Sequence, residues 1–187
     1  YAGEKGFEIH VHNGSMKKIY DELVQHGENF NLIHFGMLAL DSMRLEKNYR
    51  SWKSDLTSDY TMLQSGLEKW IKFDKGNFIG KEALKNEFDL GTSKKFVTLV
   101  VDDPEDNKPF GEPVYLSPVF AGDDYLGPIV SSGYGHRVKK SISMAILDDR
   151  NLNGLNDQLY IDVLGRKRKA YIVNEALYDP ENLKLRS

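Results

Sequence analysis

The chain has 187 residues, of which 40% are hydrophobic and 28% are charged, with a formal net charge of −3. This composition is ordinary for a globular protein with one large domain or two small ones. The absence of cysteine excludes disulfides, thiolate catalysis and cysteine-based zinc sites. The weak charge argues against nucleic acid or an anionic membrane as a partner, and no apolar run reaches the roughly 20 residues of a membrane span.

The first segment of the chain alternates between apolar and polar residues. Residues 7–12, FEIHVH, therefore predict a strand with one buried face. Because the chain starts without methionine in such a pattern, we expect a piece of a longer protein. His10 and His12 share the polar face and could begin a metal site, but two surface histidines without a third ligand need no metal. Glu8 either faces solvent or lies at a cleft, where its two oxygens could accept from a planar edge with two donors.

Two helices are predicted after this strand. Residues 13–29 have helical apolar spacing, with Asn13 or Ser15 as a possible N-cap and Gly27 near the C-terminal end. Residues 35–47 are apolar nearly all round, which predicts a buried helix.

The second half of the chain has a different character. Residues 66–84 predict a strand, a turn at 74–77 and a short helix, and residues 89–95, DLGTSKK, look like a linker. Six β-rich runs follow, separated by Gly, Pro, Asn and Asp: 95–103, 112–117, 128–138, 141–147, 158–164 and 168–178. They predict a small antiparallel barrel or sandwich. The fold class is therefore α+β, with an α+β part over residues 1–90 and a β-domain over residues 91–187.

Two further patterns each permit two interpretations. The basic run 165–171, GRKRKAY, resembles a nucleic-acid patch, but its place between two strands favours a solvated hairpin turn. Tyr49, Arg50 and Trp52 follow the second helix and either line a pocket for a flat or anionic ligand or pack as a helix end. The sequence contains no complete phosphate-binding loop, dinucleotide fingerprint or serine-nucleophile motif.

Several blocks of the sequence resemble a known family. YAGEKGFEIHV is similar to a stretch of the glycine-cleavage T-protein family, the folate-dependent aminomethyltransferases. The similarity continues in order through LALDSMRLEKNYRSWKSDLT, GLEKWIKFDKGNFIGKEAL, VSSGYGHRVKKSISMAIL and a closing ALYDP. The resemblance implies the C-terminal part of the folate-binding α+β domain over residues 1–90, followed by the family's C-terminal β-barrel over residues 91–187.

The blocks also indicate a subgroup within this family. RLEKNYRSW is more similar to the folate-binding region of dimethylglycine and sarcosine dehydrogenases than to a plain T-protein. Where T-proteins have Ala-Arg-Asp this chain has Ala39-Leu40-Asp41, so an arginine that contacts folate in the family is absent. GYGHR also replaces the more usual GYSPT. These differences count against an ordinary aminomethyltransferase.

The resemblance implies four cofactor-binding residues. Tyr1 matches the family tyrosine that lies against folate, and Glu8 matches the glutamate that binds the pterin edge. His10 shares the face of Glu8, and Tyr49 matches a second tyrosine near folate. We expect no catalytic residue in this chain, because the family's catalytic aspartate lies upstream, and we expect no metal.

The resemblance also implies cofactors, partners and a compartment. The cofactor is tetrahydrofolate, and a dehydrogenase parent would carry FAD in a domain outside this chain. The expected partners are folate and the missing N-terminal part of the same protein, with neither nucleic acid nor membrane. The alternatives are a T-protein, another folate-dependent demethylase or a non-catalytic folate-binding module. The expected location is the bacterial cytoplasm, or the mitochondrial matrix in a eukaryote.

Overall fold

The computed structural model describes residues 1–102, 113–149, 152 and 159–187. Its helices are α1 (Asn13–Gly27), α2 (Met37–Glu46), α3 (Lys81–Leu90) and α4 (Leu183–Arg186), with short 3-10 turns at Glu28–Phe30 and Glu68–Trp70. Its strands are β1 (Lys94–Val101), β2 (Pro118–Ala121), β3 (Asp124–Gly135), β4 (Lys140–Asp148), β5 (Leu159–Val163) and β6 (Arg166–Val173). Across these ranges, no helix has the length and apolar character needed to cross a membrane.

The six strands form a closed antiparallel barrel in the order β1-β4-β3-β2-β5-β6. Closure pairs both edges of the sheet, so no described strand is left with an open edge. The barrel interior is filled by apolar side chains from all six strands, among them Leu99, Val119, Ile129, Leu147, Ile161 and Ala170. The prediction of a small antiparallel barrel is confirmed, and the sandwich alternative is wrong.

Helix α2 packs against the outer face of this barrel. Leu45, at 1% exposure, lies in a second apolar cluster with Phe96 of β1 and Met144 of β4. Only the C-terminal turn of α2 is buried, whereas Met37 and Leu38 at its start are 76% and 89% exposed. The prediction of a helix is confirmed, but the prediction that it is buried holds only where the barrel covers it.

The predicted strand over residues 7–12 is absent from the structure. A strand requires hydrogen bonds to a neighbouring strand, and the described strands all pair within the barrel. Phe7 and Ile9 are 88% and 58% exposed, so the apolar face that motivated the prediction is uncovered. Helix α1 is confirmed, yet its apolar stripe is also about half exposed at Met16, Tyr20 and Leu23.

Three local predictions are also wrong. His12 is the N-cap of α1, because its Nδ1 accepts a hydrogen bond from the Gly14 N–H at 3.3 Å, whereas Asn13 and Ser15 lie inside the helix. The predicted strand that begins near residue 66 is a 3-10 turn and irregular chain before α3. The described part of the run 112–117 is not a strand; β2 begins at Pro118, where pairing with β3 and β5 becomes possible. The short helix and a hairpin between β5 and β6 are confirmed. The predicted linker 89–95 is reduced to residues 91–93, because α3 ends at Leu90 and β1 begins at Lys94. Most of the basic run 165–171 belongs to β6 and not to the turn, because β6 begins at Arg166.

Candidate functional site

Segments distant in sequence meet at the C-terminal end of α2. They are residues 1–4, the end of α2 with the following turn 44–50, the β3–β4 connection 133–138 and residues 178–182. Four of the sequence blocks that carry the family resemblance contribute to this meeting point. Hydrogen bonds and ion pairs of charged side chains hold these segments together.

Arg44 is the buried centre of this cluster. Its side chain is 3% exposed and donates from Nε to Asp41 Oδ1 at 2.5 Å and from Nη1 to Asp55 Oδ2 at 2.6 Å. Nη1 also donates to the Tyr49 carbonyl at 3.1 Å, so the chain beyond α2 is folded back against the helix. Asp55 is fully buried and accepts a second hydrogen bond from the Ser51 N–H at 2.7 Å. Arg44 therefore fixes the turn that carries Tyr49 and Arg50.

Glu46 and two glycines join α2 to the β3–β4 connection. The Glu46 carboxylate, 3% exposed, accepts hydrogen bonds from the backbone N–H groups of Arg137 at 2.7 Å and Val138 at 3.2 Å. A Cβ at Gly133 would lie 2.8 Å from Leu45 Cδ1, and one at Gly135 would lie 2.9 Å from Glu46 Cγ. The glycines of GYGHR thus allow close packing of α2 on the barrel.

Lys47 ties the N-terminal segment to the C-terminal segment. Its Nζ is buried and donates to the Asp179 carbonyl at 2.7 Å, to Asp179 Oδ2 at 3.2 Å and to Asn182 Oδ1 at 2.8 Å. Its aliphatic stem occupies the space beside Gly3, where a Cβ would lie 2.2 Å from Lys47 Cγ. Gly3 is buried with a φ of +76°, so glycine is favoured there by both space and backbone conformation.

Glu4 completes the attachment of residues 1–4. Its Oε1 accepts from Arg137 Nη1 at 2.6 Å and from the Tyr178 hydroxyl at 2.8 Å. Arg137 also donates to the Tyr178 hydroxyl and lies over the Tyr178 ring, with Cζ 4.3 Å from the ring centroid. This triad holds the first residues of the chain against the barrel.

Acid is expected to release this attachment. The pKa of Glu4 lies below 4.5 because Tyr178 and then Arg137 donate hydrogen bonds to its ionised form. A lowered folded-state pKa means that the stabilisation is complete above pH 4.5 and is lost as the pH falls through that lower value. The Gly3 amide chemical shift, followed by NMR, should therefore titrate with a midpoint below 4.5. The Glu4→Gln variant should lack this transition, and a wild-type midpoint at or above 4.5 would contradict the triad's role.

The structure brings Tyr1 and Tyr49 together. Their ring centroids are 5.8 Å apart, and the Tyr1 hydroxyl donates to the Arg50 carbonyl. Burial raises the pKa of the Tyr1 hydroxyl, although the Arg44 charge opposes the shift. Lys47 Nζ lies 5.9 Å from the Tyr49 ring centroid. Tyr1 remains 61% exposed, so this aromatic pair is accessible to a flat ligand.

Glu8 and His10 lie apart from the aromatic pair. Glu8 Oε2 is 3.6 Å from His10 Nε2, and both side chains are about 90% exposed. Among the described residues, neither side chain makes a hydrogen bond, ion pair or ring contact with Tyr1 or Tyr49. The four residues implied by the resemblance therefore form two pairs in this structure. Trp52 is 75% exposed and joins neither pair.

Sequence reasoning did not assign the residues that hold this region together. Glu4, Lys47, Arg137 and Tyr178 lie inside blocks that carry the family resemblance, but their spacing alone does not show that they meet. The sequence feature that could have drawn attention to these four residues is that they are charged or aromatic and lie within the blocks that resemble the family. No group of three or more potential metal ligands occurs in the described part of the chain.

Two family models match the chain. The GCVT N-terminal domain matches residues 1–75, and the glycine cleavage T-protein C-terminal barrel domain matches residues 94–179. The chain belongs to the glycine cleavage T-protein family. The barrel described above coincides with the second of these matches, and the Tyr1–Tyr49 pair lies in the first.

Proteins with two different names are similar to this chain. An aminomethyltransferase of Pseudothermotoga lettingae is 33% identical over 95% of this chain and 47% of its own length. One of Thermoanaerobacter sp. (strain X514) is 30% identical over 95% of the chain and 46% of its length. The mitochondrial dimethylglycine dehydrogenase of Mus musculus is also 30% identical over 95% of the chain, but over 20% of its length. The chain thus spans about half of the aminomethyltransferases and a fifth of the dehydrogenase.

A solved member of the T-protein family has the same fold. The glycine cleavage system aminomethyltransferase T from Bartonella henselae superposes with a TM-score of 0.75 over 89% of this chain and 45% of that protein. Its sequence identity is 18%, so the likeness supports the fold alone.

Proposed function

We propose that this chain is the tetrahydrofolate-binding part of a one-carbon transfer enzyme. The observation that carries the proposal is the Tyr1–Tyr49 pair, which the charged cluster around α2 holds on the surface. Aromatic rings of this kind provide a stacking surface for a flat heterocycle. Relatives named aminomethyltransferase and dimethylglycine dehydrogenase both support one-carbon chemistry.

The residues present have the chemistry that a reduced pterin requires. The carboxylate of Glu8 can accept two hydrogen bonds from the amino group and a ring N–H of the pterin. In the structure the Glu8 side chain is about 90% exposed and, among the described residues, forms an ion pair with His10, so its oxygens are accessible. In this proposal Tyr1 and Tyr49 lie against the folate, Glu8 binds the pterin edge and His10 lines the same face.

The work of these residues is binding and orientation. Tetrahydrofolate, when bound, supplies the nucleophilic nitrogen that accepts a one-carbon unit. Holding that nitrogen in a fixed place makes the transfer effectively unimolecular, which is a large contribution to rate. No residue of this chain is proposed to be catalytic. Residues 1–90 would contribute the end of the folate-binding domain, and residues 91–187 the barrel that closes it.

Our first candidate for the whole protein is a dimethylglycine or sarcosine dehydrogenase that passes an oxidised N-methyl group to tetrahydrofolate. Leu40 of α2 supports it, since its side chain has no donor for folate where T-proteins have arginine. Such a parent uses FAD. The described strands form an antiparallel barrel, which does not fit a dinucleotide-binding domain, so another domain would hold the flavin.

The second candidate is an aminomethyltransferase, which the relatives of that name support equally. A folate-dependent demethylase or a non-catalytic folate-binding module would use the same residues. The two main candidates differ in their substrates. Oxidation of dimethylglycine or sarcosine by the longer protein would support the first, and release of ammonia from an aminomethyl donor would support the second. A bacterial cytoplasm or a mitochondrial matrix is the proposed location, and the mitochondrial relatives support the latter.

Replacement of Glu8 by glutamine tests the folate role. In the complete protein, we expect Glu8→Gln to weaken tetrahydrofolate binding at least about tenfold, because a charge-assisted pair of hydrogen bonds is lost. Tryptophan fluorescence or calorimetry would measure the dissociation constant. Glu82→Gln is the matched control, because Glu82 is an exposed glutamate on α3. An unchanged affinity in Glu8→Gln would contradict the role proposed for Glu8.

A further inference from the structure

A separate cavity of about 610 Å³ lies between the turn after α2, the end of α3 and the barrel. Asn48 and Arg50 contribute to its wall, whereas Tyr49 between them faces Tyr1. Strands β1 and β6 supply the opposite wall through residues such as Phe96 and Ile172. A cavity of this size can take a small organic ligand.

Arg50 is the unusual residue in this cavity. Its Nε is buried without a hydrogen-bond partner, and in the described part of the chain its guanidinium forms neither a hydrogen bond nor an ion pair. The guanidinium instead stacks on Phe96, with Cζ 4.4 Å from the ring centroid. A Cβ at Gly66 would lie 2.6 Å from Arg50 Nη2, so a glycine leaves space for the group. Burial lowers the pKa of the Arg50 guanidinium, and the nearby charge of Glu68 opposes this shift.

The buried Nε–H of Arg50 is costly, because it has lost water without gaining an acceptor among the described residues. The planar guanidinium matches a carboxylate with two parallel hydrogen bonds. Asn48 can assist, since its Oδ1 accepts from Thr98 Oγ1 at 2.7 Å while its amide N–H bonds remain unused by the described residues. Arg50 and Asn48 therefore both offer hydrogen-bond donors in the lining of this cavity.

The other residues that line the cavity restrict the kind of anionic ligand that can bind there. The charged residues that line the cavity are Arg50, Lys95, Glu68, Glu87 and Asp149. The two positive and three negative side chains leave a formal sum of −1, which disfavours a multiply charged anion such as phosphate more strongly than a single carboxylate in contact with Arg50. Apolar side chains such as Leu63, Phe88, Phe96 and Val97 also line the cavity. These apolar walls favour a ligand with an apolar body.

We propose that this cavity is a second binding site, which takes a small monocarboxylate with an apolar body and holds its carboxylate on Arg50. The site uses none of the four residues proposed to bind folate. The two proposed sites are joined by adjacent residues, because the Tyr49 ring contacts the Tyr1 ring whereas Arg50 lines the cavity.

Titration of the ¹⁵N-labelled chain with hexanoate tests this site. The Nε–Hε signal of Arg50 should shift with saturation and a dissociation constant on the order of 1 mM, the range for a ligand of this size. Hexylammonium has the same apolar body without a carboxylate and should leave the signal unchanged. Inorganic phosphate should bind at least about tenfold more weakly than hexanoate because of the acidic lining.

Variants of the chain sharpen the test. Arg50→Gln should weaken hexanoate binding at least about tenfold, whereas Arg166→Gln, an exposed arginine on β6, should not change it. Glu68→Gln removes a negative charge that acts on Arg50 and should strengthen binding about twofold to fivefold. Glu8→Gln should leave hexanoate binding unchanged, which separates this site from the folate proposal.

Several results would overturn the proposal. They are the absence of a saturable Arg50 shift with hexanoate, equal binding of hexylammonium, tighter binding of phosphate, and unchanged hexanoate affinity in Arg50→Gln. If Arg50→Gln does not fold, the wild-type Arg50 signal and Glu68→Gln decide, because Glu68 is exposed and we expect its replacement to leave the fold intact.

Discussion

Arg44→Met is expected to lower the free energy of unfolding by about 3–5 kcal/mol. The substitution removes the charged partner of Asp55, which is fully buried and whose Oδ2 accepts hydrogen bonds from Arg44 Nη1 at 2.6 Å and from the Ser51 N–H at 2.7 Å. An uncompensated buried carboxylate is costly, because it loses water without gaining an opposite charge. Urea denaturation followed by fluorescence, with a check for two-state behaviour, measures the change.

Two further variants separate the buried ion pair from a simple loss of packing. Asp41→Asn removes the other carboxylate bound to Arg44. Because the Asp41 side chain is 46% exposed, this substitution should lower the free energy of unfolding by less than about 1 kcal/mol. Adding Asp55→Asn to Arg44→Met removes the buried charge and should recover at least about 1 kcal/mol. Equal destabilisation by Asp41→Asn and Arg44→Met, or no recovery in the double variant, would contradict the account of Asp55.

Gly127→Ala is the second substitution with a large expected effect. Gly127 lies in β3 with a φ of +154°, and a Cβ there would lie 2.1 Å from the carbonyl oxygen of Ile146 in β4. That contact is with backbone inside the barrel, so it cannot be relieved by a side-chain rotation. We expect a loss of about 3 kcal/mol or more, measured by the same urea denaturation.

Gly122→Ala is the matched control. Gly122 lies in the turn between β2 and β3 with a φ of +60°, and no atom lies within 4 Å of the added Cβ. Only the backbone conformation opposes alanine there, which costs about 1 kcal/mol. If Gly127→Ala costs no more than Gly122→Ala, the steric argument for the β3–β4 contact is wrong.

Much of the fold could be predicted from local sequence. Helix α1 and five of the six described barrel strands follow from the 3.6-residue and two-residue spacing of apolar residues, whereas β2 lies outside the predicted runs. Residues 7–12 have the same alternation and yet form no strand, because alternation describes a face whereas a strand also needs a hydrogen-bonded partner. Helix α2 shows the same limit, since its apolar start is exposed where the barrel does not reach.

Residues of the candidate site could be proposed from the sequence, but the contacts among them could not. The resemblance implied Tyr1, Glu8, His10 and Tyr49, and the structure brings Tyr1 to Tyr49 and Glu8 to His10. The interactions that position Tyr1 join residues more than 100 positions apart, such as Glu4 with Arg137 and Lys47 with Asp179. No local pattern encodes such pairs. The prediction that Arg50 lines a pocket rested on its aromatic neighbours, and Arg50 does line the cavity described above.

Calorimetric titration of the complete protein with folinic acid, a stable tetrahydrofolate analogue, tests the central claim most directly. The account predicts saturable binding with one site, weakened at least about tenfold by Glu8→Gln and unchanged by Glu82→Gln. Tyr49→Ala should also weaken it, because a stacking surface for the pterin is lost. Folinic acid binding of equal affinity in the wild type and in Glu8→Gln would contradict the claim that this chain binds folate through the residues proposed.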